Sequence, residues 1–143
     1  MTFQQHDLSH LSMILDCINE DNCFSFGVDG DQNAINPSVY LIIEEIYNIL
    51  GYRKEILSIK LFKELEDSLA YEWHTDDSTP TEKDLTLTAV LYLKGCEGSK
   101  IEIKNPNLQL ISAEPYKLIF LPKTVEHRAF GNFHKNFLKF TFR

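Results

Sequence analysis

The chain changes its hydrophobic period at Gly51. Before that residue apolar side chains recur at helical spacing, and after it they fall into short runs separated by turn residues. A period of 3.6 suits a helix that buries one stripe, whereas a period of two suits a strand with two unlike faces. Helices first and many short strands afterwards predict an α+β domain, mainly β, built on a sandwich or barrel.

Leu8, Leu11, Ile14, Leu15 and Ile18 predict a first helix over 7–20, with Asp7 as its N-cap. A second helix is expected after Asn36, with Pro37 at its first position. Its buried stripe is Val39, Ile42, Ile43, Ile46, Ile49 and Leu50, and Gly51 is suited to a left-handed cap. Residues 27–36 are rich in Gly, Asp and Asn and are expected to form a loop. Strands are expected over 56–62, 70–74, 85–93, 100–103, 116–120 and 137–142. Within the third, Thr86, Thr88 and Val90 alternate with Leu85, Leu87, Ala89 and Leu91, as two different faces require.

A length of 143 residues, with 43% hydrophobic and 24% charged, fits one domain with its own core. Within it the helical part covers 1–55 and the β core 56–143. The net charge of −7 repels phosphate backbones, so nucleic acid is not an expected partner. Lys117, Lys123, Arg128, Lys135, Lys139 and Arg143 concentrate in the last third, where a solvated face accounts for most of such a cluster. Cys17, Cys23 and Cys96 are odd in number and lack metal-ligand spacing, which points to reduced thiols and a cytoplasmic protein. The first residues show neither a basic start nor a long apolar run, so neither a signal peptide nor a membrane association is expected.

The chemically informative stretch is Trp73-His74-Thr75-Asp76. On an extended strand i and i+2 share a face, so His74 and Asp76 converge on one point. An imidazole and a carboxylate make two-thirds of the facial triad that binds iron(II) and leaves coordination positions open. His127, in Val125-Glu126-His127-Arg128-Ala129, is the best candidate for the third ligand. His-x-Asp alone is a weak signal, and a strand histidine is often a structural hydrogen-bonder. Asp77 has the wrong parity to replace Asp76. His6, His10 and His134 have no ligating spacing. Arg128 follows a candidate ligand directly and is expected to point the opposite way, to solvent.

The flanking segments resemble the prolyl 4-hydroxylase-like branch of the iron(II)- and 2-oxoglutarate-dependent oxygenase superfamily. The His74-Thr75-Asp76 motif is followed by Asp84-Leu85-Thr86-Leu87-Thr88-Ala89-Val90-Leu91-Tyr92-Leu93, similar to the family's threonine- and Tyr-Leu-bearing strand. Glu97-Gly98-Ser99-Lys100-Ile101-Glu102-Ile103 is similar to its glycine turn and strand, with one of the two glycines. Ala113 to Pro122 resembles its "p-x-x-G-x-lvlFp" segment, with Tyr116 where the glycine stands, and Lys135 to Phe142 resembles the closing strand. The resemblance runs from about residue 56 to 142.

This resemblance implies a double-stranded β-helix (jelly-roll, cupin-like) with the N-terminal helices packed on one sheet. It implies iron(II) on His74, Asp76 and His127, with 2-oxoglutarate as cosubstrate, dioxygen as co-reactant and ascorbate as an aid to turnover. Lys135 occupies the position of the basic residue that holds the far carboxylate of 2-oxoglutarate. Lys139 shares its parity, and Tyr92 matches a tyrosine whose hydroxyl donates to the same group. A cation suits that place because a dianion in a water-poor pocket needs a counter-charge. The activity implied is hydroxylation of a C–H bond on a prolyl, peptidyl or small amino-acid-like substrate. The alternative is a cupin-like protein that binds a metal or ligand without oxidising anything. Cupin sites draw on more histidines, and the Asp at 76 favours the oxygenase.

Overall fold

The computed structural model describes residues 4–18, 26–27, 37–64, 72–76, 85–131 and 134–143. Their order is β1 (Gln4–Asp7), a 3-10 turn (Ser9–Leu11), α1 (Ser12–Leu15), β2 (Phe26–Gly27), α2 (Pro37–Leu50), β3 (Ile56–Glu64), β4 (Leu87–Tyr92), β5 (Ser99–Lys104), β6 (Leu108–Ser112), β7 (Lys117–Pro122), β8 (Glu126–Gly131) and β9 (His134–Phe142). The strands form two sheets, a six-stranded one ordered β1-β7-β4-β9-β3-β2 and a three-stranded one ordered β6-β5-β8. Every pairing in them is antiparallel.

Helix α2 begins at Pro37 and ends before Gly51, whose φ of 83° is the left-handed cap expected of a glycine there. Its stripe of Val39, Ile42, Ile43 and Ile46 is buried, while Tyr40, Leu41 and Glu44 face outward. That stripe packs on one face of the large sheet with Ile59, Leu87, Ala89, Leu91, Phe120, Leu138, Phe140 and Phe142. The other face of the same sheet covers the small one through Val90, Tyr92, Ile119 and Leu121 against Ile101, Ile103, Ile111 and Val125. Strand β4 therefore has a neighbour on each side, and all six of its residues are buried. Its two-residue alternation sends Leu87, Ala89 and Leu91 to the helical layer, and Thr88, Val90 and Tyr92 to the layer between the sheets.

The N-terminus differs from the helix expected over 7–20. Residues 4–7 are a strand in register with β7, and only 12–15 are α-helical before a turn. Asp7 caps no helix of that length. Its carboxylate accepts from the Ser9 amide at 3.0 Å and the Ser9 hydroxyl at 2.8 Å, which turns the chain as it leaves β1. The apolar stripe survives the change, with Leu8, Leu15 and Ile18 buried in the helical layer. Strands β1, β2, β6 and β8 are additions to the expected set, and Gly27, expected to open a loop, ends β2. Of the strand expected at 70–74 and the loop expected at 27–36, residues 70–71 and 28–36 lie outside the described residues, and within 72–74 only His74 is bridged to a neighbour.

Tyr116, standing where the resembling family has a glycine, has φ of 72° and so keeps the left-handed backbone that glycine favours. Its amide donates to the Tyr92 carbonyl at 2.8 Å and its hydroxyl to Asp16 at 2.8 Å, contacts that offset the unfavourable conformation.

Phe140 is fully buried between sheet and helices, so Phe140→Ala should lower unfolding stability by about 3–5 kcal/mol. Leu108, 61% exposed on β6, should tolerate alanine within about 0.5 kcal/mol. Urea denaturation of both variants checks this, and comparable losses would contradict a core lying between α2 and the large sheet.

Candidate metal centre

The segment 72–76 meets β8 at a single bridge, between His74 and His127. His74 and His127 exchange both backbone hydrogen bonds, amide to carbonyl at 3.0 and 2.9 Å, as directly opposed antiparallel residues. Opposed residues place their side chains on the same face. The two imidazole centroids are accordingly 4.4 Å apart. Asp76, expected to share a strand face with His74, instead lies where the chain has left the extended form for a 3-10 turn, and still reaches the same side, its Oδ1 lying 3.9 Å from His74 Nε2 and 3.5 Å from His127 Nε2.

Both rings are locked the same way. Nδ1 of His74 lies 2.8 Å from the Glu72 carbonyl, and Nδ1 of His127 lies 3.0 Å from the Val125 carbonyl. A carbonyl only accepts, so each Nδ1 carries the proton and each Nε2 presents its lone pair toward Asp76. Backbone carbonyls in this role fix tautomer and ring orientation in metal-binding histidines. Burial holds His127 below the usual histidine range, and the Asp76 carboxylate opposes that shift only in part. A neutral imidazole is the form that ligates.

The donor set fits a divalent ion. Two imidazole nitrogens and one carboxylate oxygen lie within 4.8 Å of one another. An ion about 2.1 Å from each of three ligands at right angles spaces them about 3 Å apart, so binding draws the three groups together from the 3.5 and 3.9 Å that separate Asp76 from the two imidazoles. Asp76 and His127 are 6% and 7% exposed and His74 is half-buried, so the ion would be reached from the His74 side. Two nitrogens and one oxygen, with other coordination positions left to non-protein ligands, are the donor chemistry of the facial triad.

The remaining expected residues fall around this centre. Lys139 on β9 is half-buried, and its charge adds to the groups disfavouring a protonated His127. Tyr92 is buried in the layer between the sheets, its ring 5.9 Å from that of Phe137. Burial pushes its phenol far above the ordinary range, so the hydroxyl stays a donor. Lys135 lies in β9, but its side chain is outside the described residues, as is Asp77. Arg128 points away from the centre, as its parity requires, and pairs with Glu102 at 2.9 Å.

Sequence reasoning missed what holds Trp73. One residue before His74 it turns to the opposite face, where Lys104 Nζ lies 4.1 Å and Arg128 Cζ 4.9 Å from its ring centre. Lys104 is in turn paired with Glu126 at 2.9 Å. The two cations come from β5 and β8, so the ring ties the ligand segment to the small sheet from behind. A tryptophan next to the ligand histidine was the available signal, but its partners are set by strand register.

No family model matches the chain, and no curated protein matches it by sequence. In three dimensions it is similar to the crystal structure of a Pseudomonas putida prolyl-4-hydroxylase, at 15% identity and a TM-score of 0.63, covering 99% of this chain and 86% of that one. Protein NMB1881 from Neisseria meningitidis also aligns, at 16% identity over 64% of this chain and 85% of that one, but its TM-score of 0.42 carries no argument. At such identity the first likeness shows a prolyl-4-hydroxylase-like fold. Among the described residues no helix is long and apolar enough to cross a membrane.

Trp73 is the one tryptophan in the chain, which makes its emission a local probe. Titration with manganese(II) should quench it saturably, and His127→Ala should remove the response at the same concentrations. Emission indifferent to the ion in the native protein would contradict metal binding beside His74.

Proposed function

We propose that this protein is an iron(II)- and 2-oxoglutarate-dependent oxygenase that hydroxylates a C–H bond, with a double-stranded β-helix as its scaffold. One observation carries this: two imidazoles with their proton-bearing nitrogens tied to backbone carbonyls turn their free nitrogens toward a shared buried carboxylate. The prolyl-4-hydroxylase-like fold supports it independently.

In this proposal His74, Asp76 and His127 hold the iron. When bound, iron(II) supplies the oxidative chemistry by which 2-oxoglutarate and dioxygen become succinate and carbon dioxide while a C–H bond becomes C–OH. The chain's own residues orient and enclose. The Glu72 and Val125 carbonyls keep both imidazoles in the ligating tautomer. The apolar residues between the sheets exclude water behind the centre, which strengthens charge interactions there. Lys139 provides a cation for the far carboxylate of 2-oxoglutarate, binding it as a point charge where an arginine would form a fork. Tyr92, held protonated by burial, provides a hydroxyl donor to the same group. Lys135, from the same strand, is the other candidate for that cation.

The likeness to a prolyl-4-hydroxylase favours a peptidyl or free prolyl substrate, or a small amino acid of similar shape. Ascorbate fits as the reductant that keeps iron in the ferrous state.

Purified protein given iron(II), ascorbate and 2-oxoglutarate should form succinate slowly even without substrate. Asp76→Ala should lower that rate by about a hundredfold. Undiminished turnover in the variant would refute the ligand assignment, and metal binding without any succinate would favour a non-catalytic cupin-like protein.

A further inference from the structure

The bridge between His74 and His127 has a second pair of residues behind it. Trp73 precedes one histidine and Arg128 follows the other, and across an antiparallel bridge these two come together on the opposite face. Arg128 Cζ lies 4.9 Å from the centre of the Trp73 ring. Lys104 on β5 crosses β8 to the same ring, with Nζ 4.1 Å from its centre. Each cation is itself held. Arg128 donates to Glu102 Oε1 from Nε at 3.2 Å and from Nη2 at 2.9 Å, and the Glu102 side chain is only 14% exposed. Lys104 pairs with Glu126 at 2.9 Å. The register of β5 and β8 sets up both pairs, with Glu102 opposite Arg128 and Lys104 opposite Glu126.

Register is strongly specified where alternating apolar side chains are buried on one face, and weakly where they are lacking. Glu72-Trp73-His74-Thr75-Asp76 has no aliphatic residue and meets β8 at one bridge. A bridge made one residue along would turn His74 to the outer face. One made two residues along would keep its face but set Glu72 or Asp76 opposite His127. For the backbone, each slip only exchanges one hydrogen-bonded pair for another. For Trp73, each slip parts the ring from Arg128. Contact between the ring and its cations therefore favours the one register that brings the two imidazoles together.

We propose that Trp73, clasped by Arg128 and Lys104, is a positioning residue that selects the register of His74 against His127. Side chains on the outer face, none of them a ligand, then decide whether the second imidazole reaches the ion. This rests on the metal centre described above.

The test is manganese(II) binding to the whole chain, with affinity read from the paramagnetic resonance of the free ion. Spin-echo modulation by imidazole nitrogen counts the histidines on the bound ion, and melting of the metal-free protein is followed alongside. Trp73→Leu, which removes both ring contacts, should weaken binding about tenfold and leave one imidazole on the ion. Trp73→Phe keeps a ring and should recover part of the affinity and the second imidazole. Arg128→Gln combined with Glu102→Gln removes one contact without stranding a carboxylate, and should weaken binding about threefold with metal-free melting close to native. If Trp73→Leu does not fold, this paired variant decides. The proposal is overturned if the folded variants bind manganese(II) with native affinity through two imidazoles. It is equally overturned if they melt lower without metal yet keep both imidazoles on the ion, as a merely structural role would have it. Native protein that takes up no manganese(II) would instead overturn the metal centre on which the proposal rests.

Discussion

The candidate site depends on one backbone contact, the pair of hydrogen bonds exchanged by His74 and His127. It sets two imidazoles side by side on one face, and the chain, leaving the bridge, brings Asp76 to the same place. Each backbone hydrogen bond contributes only about 0.5–1.5 kcal/mol net, so a single bridge is a slender attachment for a ligand-bearing segment. Two other features reinforce it. The imidazole Nδ1 atoms are tied to carbonyls of their own strands, and on the opposite face Trp73 is bracketed by cations from β5 and β8.

The surrounding layers explain why such a site is confined to one region. The large sheet is covered on one face by α2 and the N-terminal segment through a cluster of buried aliphatic and aromatic residues. Its other face is mixed. Apolar residues of β4, β5, β6 and β7 fill part of the layer between the sheets, while lysines and hydroxyl side chains occupy inward positions on β3, β9 and β4. Stability comes from the first region and part of the second. A core built for stability alone would fill such polar inward positions with aliphatic residues, and one of them, Lys139, lies near enough to act on the charge of His127.

Much of this arrangement was legible in the residues. Pro37 and Gly51 punctuated α2 at the ends it has, because fixed φ and left-handed φ are local properties. His74 and Asp76 were expected on one side from spacing alone, although the turn at Asp76 was not. His127 was a candidate by residue type and by resemblance to a family, and its position opposite His74 is a matter of register, which no local pattern encodes. Strand β1 was not expected, because Gln4–Asp7 carries no apolar alternation and is a strand by virtue of its pairing with β7. Strand β6 was missed since its Leu108 and Leu110 are exposed on an edge, and β8 because its inward and outward residues are His127 and Arg128, not apolar and polar.

The most direct measurement is a crystal structure of the protein grown with manganese(II) and 2-oxoglutarate under anaerobic conditions. It should show one ion about 2.1 Å from Nε2 of His74, Nε2 of His127 and a carboxylate oxygen of Asp76. An ion held elsewhere, or the two imidazoles turned to different partners with no metal between them, would contradict the account.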